Sequence, residues 1–148
     1  MRKIGIIAVL SLMAVVLAAV PALAQNEHFI RASGSVNNTT GALTVSFKEA
    51  GLGTNQLINY TLTADATATY VCVNRGDGNP SAQNKTTVSG PVTASGTFSS
   101  GKNEQITQSL TVNPPPSDIS CPPGEGLELA SVPYITVVLA DTTNDESK

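Results

Sequence analysis

Tryptophan is missing from this chain, histidine occurs once and cysteine twice. Each scarcity removes a class of chemistry. The only rings are Phe29, Phe47, Phe98, Tyr60, Tyr70 and Tyr134. Most of them fall on positions expected to be buried, so a flat stacking platform for sugars has few parts to be built from. Tyr134, next to Pro133, is the ring expected to stay exposed. His28 leaves no second histidine to serve as a triad base, and it stands close to the N-terminus expected once a signal peptide is removed, where ends fray. Ser–His and Cys–His nucleophilic chemistry therefore has no base. Two cysteines and one histidine also fall short of the four ligands a structural zinc takes. Charge is sparse as well, at 13% of residues, with eleven acidic against eight basic. A domain of that balance is a poor match for nucleic-acid phosphates. The carboxylates are scattered singly apart from Asp145-Glu146. Asp65 and Glu104 are a pair that could meet in space as acid and base, yet nothing in the sequence brings them together. The expectation is a protein that is not an enzyme and carries no cofactor and no metal.

Long apolar runs are absent except at the front. Arg2 and Lys3 precede an apolar run from Ile4 to Val20, Pro21 ends it, and Ala22-Leu23-Ala24 supplies the small-x-small pattern of a signal-peptidase site. The run of 17 residues lies at the lower edge of what spans a bilayer. The cleavage pattern and polar Gln25-Asn26-Glu27 favour a secretory signal peptide over residues 1–24 and a mature domain over 25–148. No cysteine lies near the cut to carry a lipid, and the C-terminal residues are polar. A secreted, extracellular protein with no membrane attachment after cleavage is expected. Removing Arg2 and Lys3 leaves six basic residues against eleven acidic ones, a net charge of −5 for the mature chain.

In an exported chain an even cysteine count reads as a disulfide, so Cys72 and Cys121 are expected to pair. An intermolecular bridge and two free thiols are the alternatives. An internal bond closing a loop of about 50 residues stabilises by roughly 4 kcal/mol on a chain-entropy estimate.

Helical periodicity is lacking too: nowhere do apolar residues recur at i, i+3, i+4 and i+7 over three turns. What is plentiful is Thr, Ser, Val, Asn and Gly in alternating patterns. Leu43–Lys48, Ile58–Thr63 and Ile106–Val112 place apolar residues at every second position, the mark of a strand with one buried face. Ile135–Leu139 is more continuously apolar. Phe29–Val36, Ala68–Val73, Val92–Ser99 and Leu127–Val132 complete about eight strands, and Ser100-Gly101-Lys102-Asn103 looks like a hairpin turn. Pro133 should split Leu127–Leu139 into two strands or mark a bulge at an edge. The fold expected is all-β: a single antiparallel β-sandwich of about seven to nine strands, immunoglobulin-like or a similar Greek key, with one disulfide. The run Asn113–Pro123 reads as a stiff connector between sheets, pinned by Cys121, in preference to a docking peptide.

Between Asn74 and Asn84 lies a Gly- and Asn-rich loop, with Arg75, Asp77 and Asn79 as its candidate binding residues. Cys72 directly precedes it, so a disulfide would brace its base and preorganise it for a partner. Arg75-Gly76-Asp77 also spells a tripeptide read by some animal cell-surface receptors, but Gly for positive φ and Asp for local hydrogen bonds serve equally in a tight turn. Asp77-Gly78-Asn79 lacks the spacing and the closing Glu of a calcium loop. Asn37, Asn38, Asn59 and Asn84 each begin an Asn-x-Ser/Thr triplet, which matters only in a glycosylating host.

Several stretches together resemble small secreted bacterial proteins of the actinobacterial type: Tyr70–Pro80, Thr87–Val92, Ala94–Asn103 and Asp141–Asn144. The resemblance implies export and a one-disulfide β-fold, and implies no activity. The function expected is a non-enzymatic extracellular β-sandwich, a structural or interaction module of the bacterial surface or surroundings. One alternative is a small binding protein using the Asn74–Asn84 loop, its partner a glycan or a secreted enzyme that it inhibits. Another is a self-assembling subunit, with Asn26–Ser35 leaving its own sheet for a neighbour's open edge.

Overall fold

The computed structural model describes residues 26–76 and 80–148, with backbone only for 80–83. The expected signal peptide, and Asp77 and Asn79 of the candidate loop, lie outside the described residues. The described chain folds into eight strands: β1 (His28–Val36), β2 (Leu43–Ala50), β3 (Leu57–Asn74), β4 (Pro80–Ser99), β5 (Gln105–Val112), β6 (Glu125–Ser131), β7 (Tyr134–Asp141) and β8 (Glu146–Ser147). Every pairing is antiparallel. One sheet has the order β1-β2-β5; the other runs β4-β3-β7-β8, with β6 also pairing β3. The protein is an all-β sandwich of two antiparallel sheets, with consecutive strands switching sheets in Greek-key fashion.

The alternation seen in the sequence explains what meets between the sheets. On β2, Leu43, Val45 and Phe47 face inward; on β3, Ile58, Tyr60, Leu62 and Ala64; on β5, Ile106, Leu110 and Val112; on β7, Leu139. Removing such side chains from water contributes about 1.5–3 kcal/mol apiece for the larger ones. Four of the six rings gather here. Phe47 and Tyr60 lie 4.6 Å apart between centroids, with Phe29 and Phe98 within 6.5 Å of one or both.

Two strands are longer than the sequence suggests. β3 joins the expected Ile58–Thr63 and Ala68–Val73 into 18 residues, and β4 runs 20 residues from Pro80. Gly90 and Pro91 hide the alternation of β4, but β4 is an edge strand, where a proline without N–H can sit. The outer face of this ribbon is nearly uncharged and hydroxyl-rich, with pairs such as Thr63 with Thr93, Thr67 with Ser89 and Thr69 with Thr87. Ser100–Asn103 is not a hairpin turn. A 3-10 turn at Gly101–Asn103 carries the chain from β4 in one sheet to β5 in the other. Buried Ser100 fastens that corner, donating to the Gly53 carbonyl at 2.5 Å and accepting from the Gln56 amide at 2.9 Å.

The upper half of the β3–β4 ribbon is covered by the connector between β5 and β6, not by another strand. Cys72 is bonded to Cys121. Tyr70 donates its hydroxyl to the Pro115 carbonyl at 2.7 Å, and Thr86 donates to Asp118 at 3.0 Å. Pro133 does divide two strands: β6 and β7 lie end to end along β3, with Thr67 donating its amide to the Pro133 carbonyl between them.

Candidate functional site

Two features stand out once the sheets are assembled. The first is an open side. β1 and β7 are stacked at the same margin of the sandwich, and between them runs an apolar groove of about 500 Å³. Small residues on β1, Ala32 and Gly34, leave its floor to Leu43, Val45 and Leu139. At one end Tyr134 donates its hydroxyl to the Gly41 carbonyl at 2.7 Å, closing the β1–β2 loop against Leu129, Val132 and Pro114. At the other end stands Lys148. Tyr134 is thus half-buried and engaged, contrary to its expected exposure, because the β1–β2 loop folds over its ring; burial pushes its hydroxyl above the usual range.

β8 covers little of the β7 edge. It pairs with Ala140 and Asp141, and Leu139 and Lys148 exchange two backbone bonds of 2.9 and 3.0 Å. Among the described residues, no strand pairs with β7 on that side from Tyr134 to Val138. Ile135, Val137 and Val138 there are exposed, as is Val36 across the groove. A bulge falls in the middle: Thr136, with φ of 51°, and Val137 sit where the register against β3 shifts.

The second feature is buried. Glu49 on β2 and Asp141 at the end of β7 are both fully enclosed. Tyr60 donates its hydroxyl to Oε2 of Glu49 at 2.6 Å, and Oε1 of Glu49 faces no donor. Burial, above all, pushes the Glu49 carboxyl up to about 7; the Tyr60 bond opposes this, and the carboxylates of Asp141 and Glu146 reinforce it. Burial and the neighbouring Glu49 likewise push the Tyr60 hydroxyl well above its usual range. Asp141 has donors of its own: the amides of Thr143 and Asn144 reach Oδ1 at 2.8 and 3.0 Å, and the Asn144 side chain reaches Oδ2 at 2.7 Å.

Neither carboxyl was singled out in the sequence, although the signal was there. Continuing the alternation of β2 two positions past Phe47 reaches Glu49, and two positions past Leu139 reaches Asp141. Asp65 and Glu104, the sequence's suggested acid–base pair, are not brought together. Asp65 sits opposite Pro91 on the outer face of β3, eight residues and roughly 27 Å of strand from Leu57 at the corner end, where Glu104 holds Thr54. Among the described residues no group of three or more His, Cys, Asp and Glu is placed to hold a metal.

Of the candidate loop, Arg75 is described and exposed, its amide bonded to the Gly124 carbonyl at 3.2 Å. The base of the loop is braced as expected, by the disulfide and by a 3.3 Å bond from Asn84 to Glu125. No helix among the described residues is long and apolar enough to cross a membrane. Comparison with protein-family models, with curated proteins and with solved structures finds no match to this chain.

Proposed function

We propose that the protein is a secreted, non-catalytic interaction module of the bacterial surface or surroundings, and that its partner is an extended polypeptide segment taken up along β7. The observation that carries this reading is the unpaired stretch of β7, from Tyr134 to Val138, beside an apolar groove. An added strand would satisfy the backbone groups on that edge and lay alternate side chains between β1 and β7. The backbone bonds supply affinity for any extended chain; the groove, with its small β1 residues, selects for apolar side chains at every second position. The non-catalytic reading is supported by where the titratable groups lie. The buried carboxyl pair, Glu49 and Asp141, is sealed from any substrate. Export accords with the disulfide and with the signal-like pattern of residues 1–24.

Selection of peptides from a random display library on the mature protein tests the reading. Peptides with alternating apolar positions are expected, shifting the amide resonances of residues 32–36 and 132–139. Val137→Lys should weaken their binding at least tenfold by placing a charge on the apolar edge. Shifts confined to the end of the molecule around Arg75 would move the site to the braced loop and overturn the groove.

A further inference from the structure

The enclosed carboxyl pair has a use of its own, independent of the groove. Glu49 is surrounded by acceptors and apolar groups. Tyr60 from β3 already occupies Oε2, the enclosed carboxylate of Asp141 from β7 acts on it as a near neighbour, and Glu146 from β8 adds negative charge. Its neighbours in the sheet, Phe29 on β1 and Ile106 on β5, bring no charge. No cation is among the groups acting on it. A buried carboxylate oxygen with no donor is costly, and two buried carboxylates side by side are costlier still. One proton placed between them removes both costs. The three N–H donors around Asp141 mark it as the acceptor, which leaves Glu49 as the group that carries the proton.

We propose that Glu49 and Asp141 share one proton in the folded protein, and that its loss is a pH-operated release of the β7–β8 end of the sandwich. Asp141 organises the turn that follows it, and that turn is stapled to β3: Thr142 donates its amide to the Asn59 carbonyl at 2.9 Å, and Thr143 accepts from the Asn59 amide at 2.9 Å. Repulsion between two enclosed carboxylates acts directly on this hairpin, because its first residue is one of the pair.

The sign follows from linkage. Between the ordinary carboxyl value of 4.5 and about 7, folded Glu49 keeps a proton that the unfolded chain has lost. Stability therefore falls as pH rises through that window, and the loss is complete above it.

Denaturant unfolding of the mature protein from pH 5 to pH 8, beside Glu49→Gln, tests the proposal. The wild-type folded-to-unfolded ratio should drop about 10- to 100-fold over that range. The glutamine amide can donate to Asp141 at every pH, so the slope of the variant should be flat. In wild type, amide exchange at Leu139 and Lys148, with the intrinsic pH dependence of exchange divided out, should lose protection along with stability. A side-chain carboxyl carbon resonance titrating near pH 7 gives a second measurement that needs no variant. Equal slopes in the two proteins, or no carboxyl titrating above pH 6, would overturn the shared proton.

Discussion

Thr136 occupies a conformation that suits it badly. A β-branched residue at φ of 51° places its Cβ against the backbone, at a cost of roughly 1–2 kcal/mol. Glycine avoids that cost but brings about 0.5–1 kcal/mol of extra freedom to the unfolded chain. Thr136 is exposed, so little packing is lost by replacing it. Thr136→Gly is therefore expected to stabilise the protein by about 0.5 kcal/mol, measured by denaturant unfolding. Glu49 is the opposite case, since its cost depends on pH. At about 1.4 kcal/mol for each tenfold change, the separation between 4.5 and about 7 corresponds to roughly 2 kcal/mol of stability that is lost as pH rises through that window. Both residues show how limited a local reading is. Alternation places Glu49 on an inner face without revealing that Asp141 arrives from another strand, and no local pattern marks Thr136 as the bulge.

Among the elements, the long β3–β4 ribbon needs its disulfide most. The second sheet backs only its lower half. Above Ala64 the inner face is covered by the Asn113–Gly124 connector, held by the Cys72–Cys121 bond and the Tyr70 and Thr86 hydrogen bonds. Reduction should cost roughly 4 kcal/mol on the chain-entropy estimate for a separation of 49 residues. It should also act unevenly. Hydrogen exchange is expected to speed up first at Tyr70–Val73 and in β6, while β2 and β5 keep their protection. Uniform acceleration would mean the connector is held by packing alone. The connector, the two cysteines and the break at Pro133 were legible in the sequence because proline and cysteine act through their own covalent geometry. The length of β4 and the corner at Gly101–Asn103 were not, because choosing between a hairpin and a crossing depends on which sheet the next strand joins.

For the molecule as a whole, the open margin between β1 and β7 raises the question of self-association. β1 is tied in: it pairs with β2 from His28 to Val36, and Phe29 packs edge-on against Phe47 and Tyr60. Exchange of Asn26–Ser35 between copies would give up both. The Thr136 bulge also kinks the unpaired stretch of β7, a common way of discouraging edge-to-edge pairing. Residues 25–148 should therefore sediment as a monomer at millimolar concentration, and a dimer that persists on dilution would point to strand exchange. That monomer would keep its groove vacant for a different chain.

Composition and period-two patterning determined the class of this protein: all-β, two-faced strands and one disulfide, because the β-branched residues and the alternation of apolar side chains act over a few neighbouring positions. Tertiary structure alone decided where the sandwich is left open and which acids meet inside it. Both outcomes rest on contacts between strands far apart in sequence, such as Glu49 with Asp141 and Gly41 with Tyr134. Such pairs form only when the order of strands within and between sheets is set, and that order follows from the packing of the whole core rather than from any segment of it.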